Sequence, residues 1–141
     1  MKKTIVLFLS ILLALSFLLT TYADNYKEPI QELSNAKYLN LLNVSASLDI
    51  SGNTAYCTGF AKSIISTDTI KITMLLQKQT STGWITIASW YKQGLRLVTL
   101  DNNKGGLSTG TYRVLLYIRV YDINGSLVEF TNVYSKLKVI A

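Results

Sequence analysis

Few side chains in this sequence could carry out catalysis. Histidine is absent from all 141 residues, which excludes Ser-His-Asp and Cys-His nucleophilic catalysis and the imidazole ligands of most zinc hydrolases. The carboxylates of the patterned region are predicted at strand ends or turns, without a second acidic residue close by in sequence to form a glycosidase pair. They are Asp49, Asp68, Asp101, Asp122 and Glu129. We therefore expect no enzymatic activity, no cofactor and no metal site.

Cys57 is the single cysteine, so the chain cannot form an internal disulfide. A free thiol in an exported protein could serve redox chemistry or cross-linking. Cys57 stands in an apolar strand pattern, however, and this favours a buried and inert thiol. Stability is then expected to come from core packing alone.

The most unusual pattern lies between positions 112 and 121. Tyr112, Val114, Leu116, Ile118 and Val120 alternate with a second set, and the alternation predicts a strand with the first set buried. The outward set is Arg113, Leu115, Tyr117, Arg119 and Tyr121, where the first strand of the chain carries Ser and Asn instead. If the last strand pairs beside it, Tyr134, Lys136 and Lys138 are predicted on the same face, and Lys71, Thr73 and Leu75 could flank them.

This face has two interpretations. Tyrosine rings stack on sugars or partner surfaces while Arg and Lys bind anionic groups, so the face could bind a ligand. Cross-strand pairs of Arg and Tyr also stabilise an exposed sheet by about 0.2 to 1 kcal/mol each without any ligand. The candidate binding residues are Arg113, Tyr117, Arg119, Tyr121, Tyr134, Lys136 and Lys138.

The rest of the patterned region also alternates with a period of two, which is typical of half-buried strands. In the first strand the inward set is predicted to be Leu42, Val44, Ala46, Leu48 and Ile50. In the second it is the small set Ala55, Cys57, Gly59 and Ala61, which leaves room for larger side chains from an opposite sheet, although the reverse assignment stays open.

Further strands follow at short intervals. Ile70 to Gln77 and Trp84 to Tyr91 are predicted to form a hairpin at the centre of the fold, and Gly94 is predicted to separate it from a short strand, Leu95 to Leu100. Asp101 to Gly106 is then predicted as a surface loop. An Asn124-Gly125 turn is expected to lead into a last strand, Leu127 to Val139.

About seven strands without a central helix predict an all-β, antiparallel β-sandwich of immunoglobulin or fibronectin type III character. Ser108 to Tyr112, just before the long apolar strand, is similar to the tyrosine corner of such domains. With Gly83-Trp84 through Ser89-Trp90 and the small-residue strand around Cys57, positions 39 to 140 resemble short secreted β-sandwich domains of Gram-positive bacteria that have no assigned activity. The resemblance implies a fold and export, and no mechanism. Cys57 lacks the second cysteine of antibody domains.

The start of the chain has the order of a secretory signal. Lys2 and Lys3 precede an apolar run from Ile5 to Leu19, and Thr21-Tyr22-Ala23 supplies small residues for cleavage after Ala23. An uncleaved anchor is the alternative, but the run is short for a membrane span. We expect a signal peptide helix at 1–23, a flexible arm at 24–38 and the β-sandwich at 39–141.

These features predict a secreted, extracellular protein that could associate with the cell wall. The net charge of +6 favours polyanions, but dense Lys/Arg runs are lacking, so nucleic acid is not expected as a partner. Membrane contact is expected only through the signal peptide during export. The expected partner is an anionic cell-wall polymer, a glycan or another surface protein. The alternative is a structural protein that assembles through a sheet edge or the arm.

Overall fold

The structure, a computed structural model, describes residues 39–141, and the predicted signal peptide and arm lie outside the described residues. The described part of the chain is all-β. Its strands are β1 (Leu41–Ser51), β2 (Thr54–Ser63), β3 (Thr69–Thr80), β4 (Gly83–Leu95), β5 (Leu97–Lys104), β6 (Gly110–Tyr121), β7 (Leu127–Tyr134) and β8 (Lys138–Ile140). No helix within residues 39–141 has the length and apolar character needed to cross a bilayer.

The strands form two antiparallel sheets that pack as a β-sandwich, which confirms the predicted fold class. One sheet has the order β1-β2-β5, and the other has the order β4-β3-β6-β7 with β8 also paired to β6. In a constant-type immunoglobulin domain the fourth strand pairs beside the fifth, whereas here β4 pairs with β3. The predicted hairpin therefore does not sit at the centre as a unit: β3 is central and β4 is an edge strand.

The core lies between the sheets and follows the predicted alternation. The inward residues of β3 (Ile70, Ile72, Met74, Leu76) and of β6 (Tyr112, Val114, Leu116, Ile118, Val120) are all buried. The small residues of β2 (Ala55, Cys57, Gly59 and Ala61) also face inward, as predicted. Gly59 shows why small residues are needed on this strand. A Cβ placed there would lie 2.8 Å from Leu116 Cδ2, so a larger residue at position 59 would force the Leu116 side chain to move within the packed core.

The tyrosine corner is confirmed. Tyr112 is 1% exposed, and its hydroxyl donates a hydrogen bond of 2.5 Å to the carbonyl oxygen of Ser108. A buried phenol needs such a partner, since an unpaired hydroxyl in the core costs free energy. The bond fixes the chain where it enters β6, the strand that carries most of the candidate binding residues.

Three predictions about β1 and β5 were wrong. A bulge between Leu41 and Asn43 turns Leu41 inward and leaves Leu42 exposed, because an extra residue reverses the alternation on one side of a bulge. The chain breaks at Arg96 and not at Gly94, and residues 101–104 are not a loop but the end of β5, paired with β2. Their polar side chains lie on an exposed edge strand, whose composition resembles that of a loop.

A hairpin turn through Asn124 and Gly125 joins β6 to β7 as predicted, with the Asp122 amide donating to the Ser126 carbonyl, whereas the end of the chain differs from the prediction. Gly125 has a φ of 80°, while Arg96 is the only non-glycine residue within 39–141 with positive φ. The turn is therefore not the two-residue type that requires positive φ at Asn124 as well. The predicted last strand is divided into β7 and β8. In a continuous strand the Val114 amide would donate to a backbone carbonyl, but here it donates to the Ser135 side chain, and the backbone pairing is interrupted.

Candidate binding face

The candidate residues of β6 lie on the outer face of the larger sheet. Arg113, Tyr117, Arg119 and Tyr121 are partly exposed, as the alternation predicts, whereas Leu115 is only 3% exposed beneath its neighbours. Cations and aromatic rings from four strands surround them. We call this set the basic aromatic face, and it consists of Lys71 (β3), Trp84 and Tyr91 (β4), Arg113, Tyr117, Arg119 and Tyr121 (β6), and Phe130 and Tyr134 (β7).

Arg113 is held between two aromatic rings. Its guanidinium carbon lies 4.0 Å from the centre of the Trp84 ring and 4.5 Å from that of Tyr134. Its Nε donates a hydrogen bond of 2.8 Å to Gln77 Oε1, and this is its only side-chain hydrogen bond within residues 39–141. Stacking uses the faces of the guanidinium and leaves the Nη edges able to donate. The group is therefore fixed in orientation before any ligand binds.

A second group of contacts lies further along β6. The Arg119 guanidinium carbon is 5.2 Å from the centre of the Phe130 ring. Phe130 in turn stacks with Tyr117, with ring centres 6.3 Å apart and planes 10° apart. The Lys71 ammonium lies 4.4 Å from the centre of the Tyr121 ring. Arg113 and Arg119 are six positions apart, so these two cationic regions are about 20 Å apart along the strand.

No carboxylate of residues 39–141 occupies an outward position on β3, β4, β6 or β7. Each has a different place. Asp49 pairs with Lys138, Asp68 is buried and Asp101 accepts a bond from Thr58. Asp122 accepts amide bonds within its turn, and Glu129 accepts bonds from the amides of Asn40 and Leu41 where β1 begins. Asp122 lines the same depression as Lys71 and Tyr121, so an acidic group lies at that end of the face. Around Arg113 and Arg119 the outward positions of the sheet carry no carboxylate, and this part of the face attracts anions.

The structure brings together five of the seven residues predicted from the sequence, and it places two elsewhere. Tyr134 pairs with Leu115 and points outward with the face. Lys138 pairs with the inward Tyr112, and its ammonium lies 3.2 Å from Asp49 of the other sheet, so its predicted position was wrong. Lys136 is exposed in the break between β7 and β8. This break resets the alternation, so Tyr134 and the two lysines do not share a face.

Sequence reasoning missed Trp84, Tyr91 and Phe130. The outward position of Phe130 was predictable, because Phe130 and Tyr134 lie four positions apart on one strand and therefore point to the same face. Trp84 stands at an even position and Tyr91 at an odd one, so a regular strand would point them to opposite faces. Both point outward because a bulge interrupts β4 opposite Leu76 and Gln77. Nothing in the sequence marks that bulge.

Cys57 is not a reactive group. It is 1% exposed, and burial raises the pKa of its thiol to about 11 from an ordinary value of 9.0, since a thiolate loses solvation in the core. No cluster of three or more metal-binding side chains is found in the described part of the chain. The basic aromatic face is therefore the arrangement that remains to be explained.

Comparison with known proteins does not assign the chain to a family. No protein-family model matches it, and no curated protein does. Among solved structures, it is similar to the crystal structure of wild-type OgpA from Akkermansia muciniphila, at 12% sequence identity and a TM-score of 0.35. The match covers 72% of this chain and 30% of that one, so this chain spans less than a third of that length. A likeness this low leaves function to be argued from the face itself.

Proposed function

We propose that this protein is a secreted, non-enzymatic binding module that holds an anionic polymer or acidic glycan at the cell surface or wall. The observation that carries the proposal is the basic aromatic face, where Arg113 and Arg119 each lie over an aromatic ring and no carboxylate occupies an outward position beside them. Such a face offers both groups that an acidic sugar chain needs. Rings contact the apolar side of the sugar, and cations bind its acidic groups.

The arrangement around Arg113 favours binding over a structural role alone. A stabilising pair needs one ring, whereas the Arg113 guanidinium carbon lies within 4.5 Å of the centres of two rings, and a hydrogen bond fixes its Nε. Fixing a flexible side chain in advance lowers the entropy lost on binding. The planar guanidinium can then donate two parallel hydrogen bonds to a carboxylate or phosphate.

The proposal predicts salt-sensitive binding to isolated cell-envelope material. In a co-sedimentation assay across a salt series, the protein should pellet with the envelope at low salt and should stay in solution once the anionic polymers have been removed. Salt sensitivity is expected because exposed charges are screened over about 10 Å at 0.1 M ionic strength. Absence of binding under every condition would refute the proposal.

A charge-matched pair of variants assigns the binding to this face. Arg113→Gln with Arg119→Gln removes two charges from the basic aromatic face, and Lys62→Gln with Lys104→Gln removes two from β2 and β5 of the other sheet. Only the first variant should lose binding. Equal loss in both would show a general charge effect and no site.

Assembly through a sheet edge is a second candidate. It is favoured by β4, an edge strand of 13 residues in which Lys92 is the one charged side chain. Long edges with few charges can pair with another copy or with an extended partner. Light scattering over a concentration series separates the candidates, since a strict monomer at high concentration is incompatible with self-assembly through β4.

A further inference from the structure

Cations and aromatic rings of the basic aromatic face lie in a row along β6. The registers of β3, β4 and β7 fix the level of each side chain along this strand. From one end of the row to the other, the order is Trp84, Arg113, Tyr134, Tyr117, Arg119 beside Phe130, and Tyr121. The row is about 34 Å long, because residues of an antiparallel strand rise about 3.4 Å each. Its shape therefore fits an extended chain better than a single small molecule.

The two ends of the row differ in charge. At the Tyr121 end, Lys71 and Asp122 line the same depression, so a carboxylate accompanies the cation there. Beside Arg113 and Arg119, no carboxylate of residues 39–141 occupies an outward position of the sheet. These two arginines are six positions apart on β6, a distance of about 20 Å. An anionic chain therefore has two anchoring points at a fixed spacing.

Aromatic rings occupy the surface between the two arginines. Tyr134 pairs with Leu115 and is 49% exposed, whereas Leu115 is only 3% exposed beneath its neighbours. Tyr117 follows, and its ring stacks with that of Phe130 at 6.3 Å between centres. A chain that joins both arginines must cross these rings. Sugars present an apolar side to aromatic rings, and a polyphosphate chain has no such side, so this surface favours a polysaccharide.

Two anchoring points on one strand favour a ligand that reaches both. The rings of Trp84 and Tyr134 hold the Arg113 guanidinium between them, and its Nε donates to Gln77 Oε1. Arg119 lies 5.2 Å from the centre of one ring. Once one acidic group of a chain has bound, the second binding step is intramolecular and occurs at a high effective concentration. A ligand too short to reach both arginines does not gain this advantage.

We propose that the basic aromatic face binds an extended, carboxylated polysaccharide that lies along β6. One carboxylate binds Arg113, another binds Arg119, and the sugars between them contact Tyr134 and Tyr117. This proposal rests on the proposed function, because it takes the same face as the binding site. It adds the class of polymer, its direction on the sheet and a minimum length set by the distance between the arginines.

A length series of galacturonate oligomers tests the proposal without any variant. The dimer is too short to join the two arginines, and the octamer is longer than the distance between them. Isothermal titration calorimetry of the purified protein gives the affinity for each oligomer. Corrected for the number of carboxylates, the octamer should bind at least about tenfold more tightly than the dimer, because only the octamer gains a second, intramolecular contact.

Single variants show whether both arginines take part. Arg113→Gln and Arg119→Gln should each lower the affinity for the octamer to that for the dimer, because one anchoring point remains. Binding of the dimer should fall by only about twofold in either variant, since the dimer still has one of its two sites. Lys104→Gln is the charge-matched control, because Lys104 is exposed on β5 of the other sheet. It should leave the affinity for the octamer unchanged.

The outcomes separate this proposal from the proposed function. Equal affinity for dimer and octamer, after the same correction, would overturn the two-point contact and leave envelope binding intact. A polyphosphate of similar length that binds at least as tightly as the octamer would overturn the assignment to a polysaccharide. If no galacturonate oligomer binds but the protein still pellets with envelope through this face, only the present proposal fails. If envelope binding is also absent, the proposed function fails with it.

Discussion

Replacing Arg113 by lysine tests whether the two ring contacts fix its side chain. The change keeps the charge but removes the planar group that lies 4.0 Å from Trp84 and 4.5 Å from Tyr134. Each exposed cation–ring contact contributes about 0.5 to 1 kcal/mol, and the bond to Gln77 adds about 0.5 to 1.5 kcal/mol. Lysine can recover one ring contact at best. The net loss is then one ring contact and the bond to Gln77, so we expect Arg113→Lys to lower the free energy of unfolding by about 1 to 2.5 kcal/mol.

Urea unfolding, followed by circular dichroism, measures this loss. A double-mutant cycle with Trp84→Ala should give a coupling of about 0.5 to 1 kcal/mol between Arg113 and Trp84. Arg119→Lys is the matched control, because its guanidinium lies 5.2 Å from a single ring and should lose less. The same Arg113→Lys variant should bind envelope polymer more weakly at unchanged net charge, since an ammonium cannot donate two parallel hydrogen bonds from one plane.

A different pattern would refute this reasoning. If Arg113→Lys and Arg119→Lys had equal stability and the coupling to Trp84 were zero, the stack would contribute nothing to the fold. If Arg113→Lys bound polymer as well as the unchanged protein, charge alone would account for binding and the fixed orientation would be irrelevant.

Three further predictions concern the core. Gly59→Ala should cost about 1 to 3 kcal/mol through its contact with Leu116, and combining it with Leu116→Ala should cost less than the sum of the two single changes in urea unfolding. Burial raises the pKa of Cys57 in the folded protein to about 11 from an ordinary value of 9.0. The thiol of the unfolded chain therefore loses its proton first, so the free energy of unfolding is unaffected below about pH 9 and declines as the pH rises towards 11. The variant Cys57→Ala should lose less stability over that range. Tyr112→Phe removes the hydrogen bond to Ser108. It should lower the free energy of unfolding by about 1 kcal/mol, which a fall in the melting temperature measures. An unchanged melting temperature would show that this bond contributes nothing.

The inward face of each central strand was predictable because burial imposes a strict alternation. β3 and β6 pair from Thr69 to Lys78 without an irregularity, so their inward residues follow the sequence pattern position by position. The small set of β2 was predictable for a related reason. A strand of small side chains can only face a strand of large ones, as Gly59 faces Leu116.

Irregularities were not predictable, and they caused the errors in the candidate site. The bulge in β4 brings Trp84 beside Arg113, and the break at Ser135 turns Lys138 away from Tyr134 towards Asp49. Each depends on a tertiary contact, in the second case the bond between Ser135 and the Val114 amide. A short sequence window contains no information about such a contact. The alternation of inward and outward side chains can therefore be extrapolated along a strand only as far as its first irregularity.

The central claim is that the basic aromatic face binds an anionic polymer, and amide chemical shifts test it most directly. An acidic polysaccharide such as polygalacturonate is titrated into isotope-labelled protein, and the perturbed amides are assigned. We predict perturbations centred on residues 113–121 of β6 and residues 130–134 of β7, with β1, β2 and β5 unaffected. Perturbations confined to the other sheet, or no perturbation at low salt, would contradict the account.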